Sequence, residues 1–277
     1  RSLRYRSANT FAMNSLLIQN AARLHQSGQL TEAAKLYEDI LRADPKHLEA
    51  RHQLGVVLLG LGRYAEALAC FIRLTKVKLG LAFAESNRAV ALSGLARHEE
   101  ALAASDKSLK LDPNFAAAWY QRGVALTALA RHQDALQAFD KAIALAPAYT
   151  DAHTYRGVAL SHLGRHEEAL VSHNAALRNR PNDVDILFNR AGAFAALKRY
   201  EEAVADTEAL LKRQPDRDYA RGNLVYYKLQ LADWRTLDSD AAKARDALRA
   251  GRRSIRPLQS ILISDSDEDQ LLSAKQW

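Results

Sequence analysis

Along residues 14–217 the apolar residues are spread periodically rather than in long runs, and one pattern starts again at positions 14, 48, 82, 116, 150 and 184. The prolines fix that period, because Pro113, Pro147, Pro181 and Pro215 are evenly spaced and Pro45 stands two such steps before Pro113. Six units follow without insertion or deletion: 14–47, 48–81, 82–115, 116–149, 150–183 and 184–217. Numbering each unit from its first residue, position 20 is Ala in every copy: Ala33, Ala67, Ala101, Ala135, Ala169 and Ala203. Only a small side chain lets the two helices of a hairpin approach closely there. Position 8 is Gly or Ala throughout, and position 11 is large, from Leu24 to Phe194, so small is expected to meet large across the helix pair. Position 19 is acidic from Glu32 to Glu202, near the start of a second helix, where a carboxylate complements the exposed N–H groups. Pro at position 32 stops that helix. The pattern thus predicts an all-α chain of stacked helix hairpins.

The period and the residues at these positions resemble the tetratricopeptide repeat, over about three quarters of the chain. The resemblance implies a right-handed superhelical solenoid of six hairpins, with the first helices lining a concave face. Arg63, Arg97, Arg131, Arg165 and Arg199 recur in the turn between helices and read as solvated turn charges. His98, His132 and His166 recur once per unit, at a spacing too wide for one metal ion, and read as packing residues replacing Tyr64 and Tyr200. The second unit has lost its Asp-Pro stop and carries Leu79-Gly80 instead, which predicts a bend or looser stacking before the third.

Composition changes this picture little. Hydrophobic residues make up 48% and charged residues 26%, with few β-branched side chains, and no apolar run is long enough for a bilayer. Cys70 is the only cysteine, so no internal disulfide forms, and the thiol reads as a small hydrophobe. The basic residues 1–13 precede no apolar signal core, and a cytoplasmic location is the expectation. The net charge of +7 divides into +3 for residues 1–13, +4 for 235–256, −3 for 257–277 and +3 for everything between, which argues against nucleic acid as a partner.

First-helix positions 2, 5, 6, 9, 12 and 13 should face the groove, by the family resemblance and by helical geometry. Position 6 reads Gln19, Gln53, Asn87, Gln121, Tyr155 and Asn189, and the next helix offers Asn223. A primary amide carries both donors and an acceptor, so a ladder of them can hold a peptide backbone whatever its side chains. Phe83, Tyr120, Tyr155, Phe188 and Tyr219 add aromatic anchors at positions 2, 5 and 6. The Lys/Asn carboxylate clamp of chaperone-binding relatives is missing, since position 5 is never Lys and position 9 is Ala, Val or Gly. No phosphate-cradling loop and no metal-ligand spacing occurs, so catalytic and metal sites are assigned to none of the residues.

Beyond the repeats, residues 218–234 read as a capping helix without a regular partner, and 235–277 as a junction containing a further helix near Thr236–Ala250. The order Leu229-Gln230 to Asp233-Trp234, Gly251, Pro257-Leu258, Asp265, Gln270-Leu271, Ala274 and Trp277 resembles the stretch between repeats and catalytic region in bacterial relatives of the O-GlcNAc transferase and SPINDLY family. It departs at Leu258, where the family has Phe, and at Ser266–Asp269, where it has a Pro-containing turn. The amide ladder is similar to that family's Asn ladder. The resemblance implies an acceptor-binding solenoid for Ser/Thr-bearing polypeptides, needing no cofactor in this chain, with a UDP-sugar donor used only by a catalytic region outside it. A stand-alone scaffold or chaperone adaptor, with or without self-association, is the competing reading.

Overall fold

The computed structural model describes residues 16–77 and 80–277. The N-terminal arm, residues 1–13, and the Leu79 junction between units two and three lie outside the described residues. Everything described is helix, turn or irregular chain, and it divides into two compact units, one ending at Pro147 and one spanning Ala148–Trp277.

The first unit holds four hairpins: α1 (residues 16–26) with α2 (Leu30–Ala43), α3 (Leu48–Gly60) with α4 (Tyr64–Val77), α5 (Ala82–Gly94) with α6 (His98–Leu111), and α7 (Ala116–Ala128) with α8 (His132–Leu145). The second holds α9 (Thr150–His162) with α10 (His166–Asn179) and α11 (Val184–Ala196) with α12 (Tyr200–Arg213). It continues through α13 (Ala220–Gln230), α14 (Leu237–Arg249), α15 (Pro257–Ile263) and α16 (Asp267–Gln276). From α3 to α12 every first helix has 13 residues and every second helix 14. The period of the sequence is thus a geometric repeat, and the chain is an all-α solenoid.

One turn recurs in all six hairpins. Position 15 takes a left-handed backbone, with φ between 57° and 77° at Gly28, Gly62, Ala96, Ala130, Gly164 and Lys198. The N–H of position 16 then reaches back to the carbonyl of position 11 at 2.9 Å each time, as Arg97 does to Leu92. This closes the first helix as a Schellman motif. The turn arginine chelates the position-19 carboxylate: Arg63 to Glu66 at 2.7 Å through both nitrogens, Arg165 to Glu168 at 2.6 Å, and likewise in the other hairpins that carry an arginine there. The glutamates among those carboxyls are held below their ordinary range chiefly by the arginine hydrogen bond. The pairs are exposed, so they shape the turn more than they stabilise it.

The interior follows the small positions. All six position-20 alanines are fully buried. Where position 8 is Gly, the ring at position 24 packs directly against it. Phe139 lies so close over Gly123 that a Cβ there would sit 2.4 Å from the ring, Phe71 covers Gly55, and His173 covers Gly157 in the same way. A second arginine row, at position 7, ties helices together: Arg122 reaches Asp106 at 2.8 Å, Arg190 reaches both Asp206 and Asn174 at 2.6 Å, and Arg156 reaches Ser172 at 2.7 Å.

The C-terminal part departs from expectation. α14 packs on α13, so the segment expected to cap the stack alone is half of a seventh hairpin. Position 11 of that hairpin is Lys228, where earlier repeats have Leu or Phe. Its ammonium is buried and meets Asp240 and Thr236 at 2.8 Å and Glu208 at 2.9 Å. Burial alone would depress its pKa, but the hydrogen bonds to Asp240 and Glu208 outweigh that and raise it. Arg249 of α14 grips the buried Asp269 of α16 through two bonds of 2.7 and 2.8 Å.

Candidate functional site

The first-helix face is the candidate surface. Within the first unit α3 contacts α5 and α5 contacts α7, and within the second α9 contacts α11, so the position-6 residues of neighbouring repeats stand on touching helices. Gln19 is exposed, while Gln53, Asn87 and Gln121 are half-buried. Gln19, Gln53 and Gln121 make no side-chain hydrogen bond among the described residues, so their amides are open to a partner.

Asn87 is different. Its amide lies 3.2 Å from Nε2 of His52 on the preceding first helix. Burial pushes His52 below its ordinary pKa, so the ring is neutral at pH 7, and with its proton on Nδ1 it accepts from Asn87 Nδ2. That leaves the Asn87 carbonyl and one N–H for a ligand. Phe83 is 38% exposed, with its ring edge-on to His52 at 4.6 Å. Tyr120 is half-buried, and its ring tilts against Phe139 at 6.1 Å. His52 stands at position 5, one of the first-helix positions expected to face the groove, next to Gln53.

In the second unit Tyr155 is 38% exposed, and Asn189 is half-buried with no side-chain bond among the described residues. Phe188 lies under the Arg217 guanidinium at 5.1 Å. The last two expected residues are occupied by the chain itself. Asn223 is only 9% exposed, and its carbonyl accepts from Gln259 Nε2 at 2.9 Å. Tyr219 donates its N–H to the Arg253 carbonyl, and its ring meets Trp277 at 5.3 Å and the Arg256 guanidinium at 5.5 Å. The segment after Gly251 therefore returns onto the first turn of α13, where the Gly222 N–H donates to the Ser254 carbonyl at 3.0 Å. A Cβ at Gly222 would stand 2.6 Å from the Gln259 side chain and 2.9 Å from the Ser254 carbonyl. Amides thus remain available at Gln19, Gln53, Asn87 and Gln121 in the first unit and at Asn189 in the second, whereas Asn223 is occupied by the Gln259 side chain of the same chain.

Family models described as tetratricopeptide repeat match residues 24–80, 86–115, 116–149, 138–171 and 172–218. The chain carries a tetratricopeptide repeat (TPR) domain. The matched segments fall on the hairpins described above, and none reaches α14, α15 or α16. Among solved structures, PilW, a type IV pilus biogenesis factor, is similar at a TM-score of 0.67, with 20% identity over 76% of this chain and 96% of its own. A TPR protein from Parabacteroides merdae is similar at 0.63, with 19% identity over 95% and 98%. YrrB, described as a TPR protein with an unusual peptide-binding site, is similar at 0.56, with 22% identity over 74% and 97%. These likenesses establish the solenoid. No curated protein matches the chain.

No group of three metal-ligating side chains exists among the described residues, and no described helix is long and apolar enough to cross a membrane. His98 and His166 are half-buried at the first residue of their helices, each with Nδ1 unbonded. Burial pushes the Cys70 thiol up, which keeps it protonated.

Proposed function

We propose that this TPR domain binds an extended polypeptide along its first-helix face, through amides that keep hydrogen-bonding groups free to address the peptide backbone. The observation that carries the reading is the series of open amides at one repeat position on touching helices, flanked by the partly exposed Phe83 and Tyr155. YrrB shows that TPR proteins can carry a peptide-binding site. Each amide bond contributes a net of about 0.5–1.5 kcal/mol, so the rungs act together and no single one dominates.

The finer reading is that the domain selects Ser/Thr-bearing acceptors for an O-GlcNAc transferase-like enzyme. It is supported by the amide ladder and by the order of residues from Leu229 to Trp277. In that reading the UDP-sugar is used by a catalytic region outside residues 1–277, and the domain itself neither holds the donor nor turns it over. A scaffold that joins other proteins draws equal support from the fold. Titration of several unrelated extended Ser/Thr-rich peptides separates the two. An acceptor-selecting surface gives similar affinities for all of them, and changing Asn87, Gln121 and Asn189 to Ala weakens each by a similar factor of about tenfold or more. A scaffold binds one sequence and rejects the rest. Unchanged binding by the triple variant would remove the ladder from the proposal.

A further inference from the structure

The second-helix face of the first unit carries a feature that summed charge conceals. Repeat positions 29 and 26 of successive hairpins are basic in three consecutive pairs: Arg42 with Arg73, Lys76 with Lys107, and Lys110 with Lys141. All six side chains are exposed. Later hairpins break the series, because position 29 becomes Ala144 and position 26 becomes Ala175 and Ala209. The stripe is therefore confined to α2, α4, α6 and α8.

Two of the pairs flank grooves that occupy the same place in the repeat, two hairpins apart. One groove, of about 390 Å³, runs between Arg42 and Arg73 over Leu41 and Leu54. The other, of about 560 Å³, runs between Lys110 and Lys141 over Leu109 and Trp119. The Trp119 indole N–H donates to the Pro113 carbonyl at 2.8 Å, which fixes the ring in the groove wall. At the middle pair, Lys107 is drawn to the buried Glu85. The acids nearby are already engaged: Asp106 by Arg122 at 2.8 Å, Glu66 by Arg63 at 2.7 Å and Asp39 by Arg42 at 2.6 Å. Arg73, Lys76, Lys110 and Lys141 have no ion pair among the described residues.

We propose that this stripe is a second docking surface, which takes an extended acidic segment of a protein partner with apolar side chains between its carboxylates. Unpaired cations that recur from hairpin to hairpin suit carboxylates spaced along a strand, and the apolar groove floors suit the side chains between them. A phosphodiester chain fits less well, since it has no aliphatic side chains to cover the groove floors at Leu41, Leu54 and Leu109. Its cations lie on the second helices and none of its lining residues is a rung of the amide ladder, so the two surfaces can be changed separately.

The test is fluorescence anisotropy with a labelled twelve-residue peptide alternating Glu with Leu and Phe, run beside its Gln counterpart and a single-stranded oligonucleotide of equal charge. The expected result is binding of the Glu peptide alone, weakening as salt is raised. Charge reversal at Arg73, Lys110 and Lys141 to Glu should weaken it tenfold or more. The same residues changed to Gln should weaken it several-fold, a check that does not depend on the reversed chain folding. Reversal of Arg178 and Lys212 in the second unit, and the Asn87, Gln121 and Asn189 to Ala variant, should leave it unchanged. Equal binding by wild type and both stripe variants, or equal loss in the second-unit control, would overturn the proposal. Tighter binding of the oligonucleotide, lost in the stripe variants, would overturn the acidic-peptide assignment in favour of a phosphate-directed surface.

Discussion

The regular hairpins and the seventh hairpin with its trailing helices solve one problem in two ways. In the hairpins the helices meet through small residues and aromatic knobs, such as Phe139 over Gly123, and most of their charges lie in exposed turns, with Glu85 and Asp206 as buried, ion-paired exceptions. In the C-terminal part an apolar core around Val225, Leu248 and Ile255 is joined by buried polar fastenings through Lys228, Asp269, Ser254 and Gln259. Apolar knob packing tolerates substitutions of similar volume, whereas a buried charge needs every partner in place. The repeats should therefore yield gradually, and the C-terminal region should fail at single atoms.

The sharpest break in this comparison is Asp240→Ala, which removes one of the two carboxylates on buried Lys228. It should cost about 3–5 kcal/mol in the region from α13 to α16. Hydrogen exchange should show that region losing protection while α3 to α8 keep theirs. Adding Lys228→Leu, which restores the residue type found at position 11 of most repeats, should recover most of the loss. If the double variant were as unstable as the single one, the buried charge would not be the cause.

His173 is the exception within the regular hairpins. It is fully buried in the knob position, with neither ring nitrogen hydrogen-bonded among the described residues, and burial with the nearby Arg190 charge lowers its pKa to about 4. The folded form thus binds fewer protons than the unfolded chain between about pH 6.5 and pH 4. Its contribution is intact above that window and falls as pH drops through it, by about 3 kcal/mol in all. His173→Phe copies the Phe139–Gly123 pair and should flatten that part of the stability curve. Denaturant titrations at pH 7 and pH 4.5 measure the difference, and identical pH dependence in the two proteins would show that His173 is not its source.

A smaller effect separates the return segment from the ladder. Gly222→Ala puts a methyl group against the Ser254 carbonyl and the Gln259 side chain, and should cost about 1–3 kcal/mol of local stability. Exchange should rise over residues 251–259 and in the first turn of α13. Loss confined to any other hairpin would mean the segment does not rest on Gly222.

How far the sequence could be read follows the same division. The period, the position-20 alanines and the turn arginines were legible because each recurs along the chain, and repetition exposes what one copy hides. The knob at position 24 was present in the same columns but missed, since it varies among Tyr, Phe, Ser, His and Thr; the signal is that Gly at position 8 accompanies a ring at Gly55, Gly123 and Gly157. The position-7 arginines were equally available. The burial of Asn223 was not legible, because it depends on a distant contact with Gln259, made by a segment outside the repeat. The basic stripe escaped because net charge sums over faces that the helices keep apart.

The smallest prediction returns to the turn shared by all six hairpins. Ala96 and Ala130 hold the left-handed conformation at φ 57°, where the other side of the comparison, Gly28, Gly62 and Gly164, has no Cβ to strain. An L-residue pays about 1–2 kcal/mol for that conformation. Glycine relieves the strain but adds freedom to the unfolded chain, worth about 0.4–1 kcal/mol in the opposite direction. Each of Ala96→Gly and Ala130→Gly should therefore stabilise by about 0.5–1 kcal/mol, and the two should add, since they sit in separate turns. The shift should appear as a higher denaturation midpoint with an unchanged slope. A lower midpoint for both would mean that the unfolded-state term outweighs the strain, and that these alanines are the better choice for the turn they close.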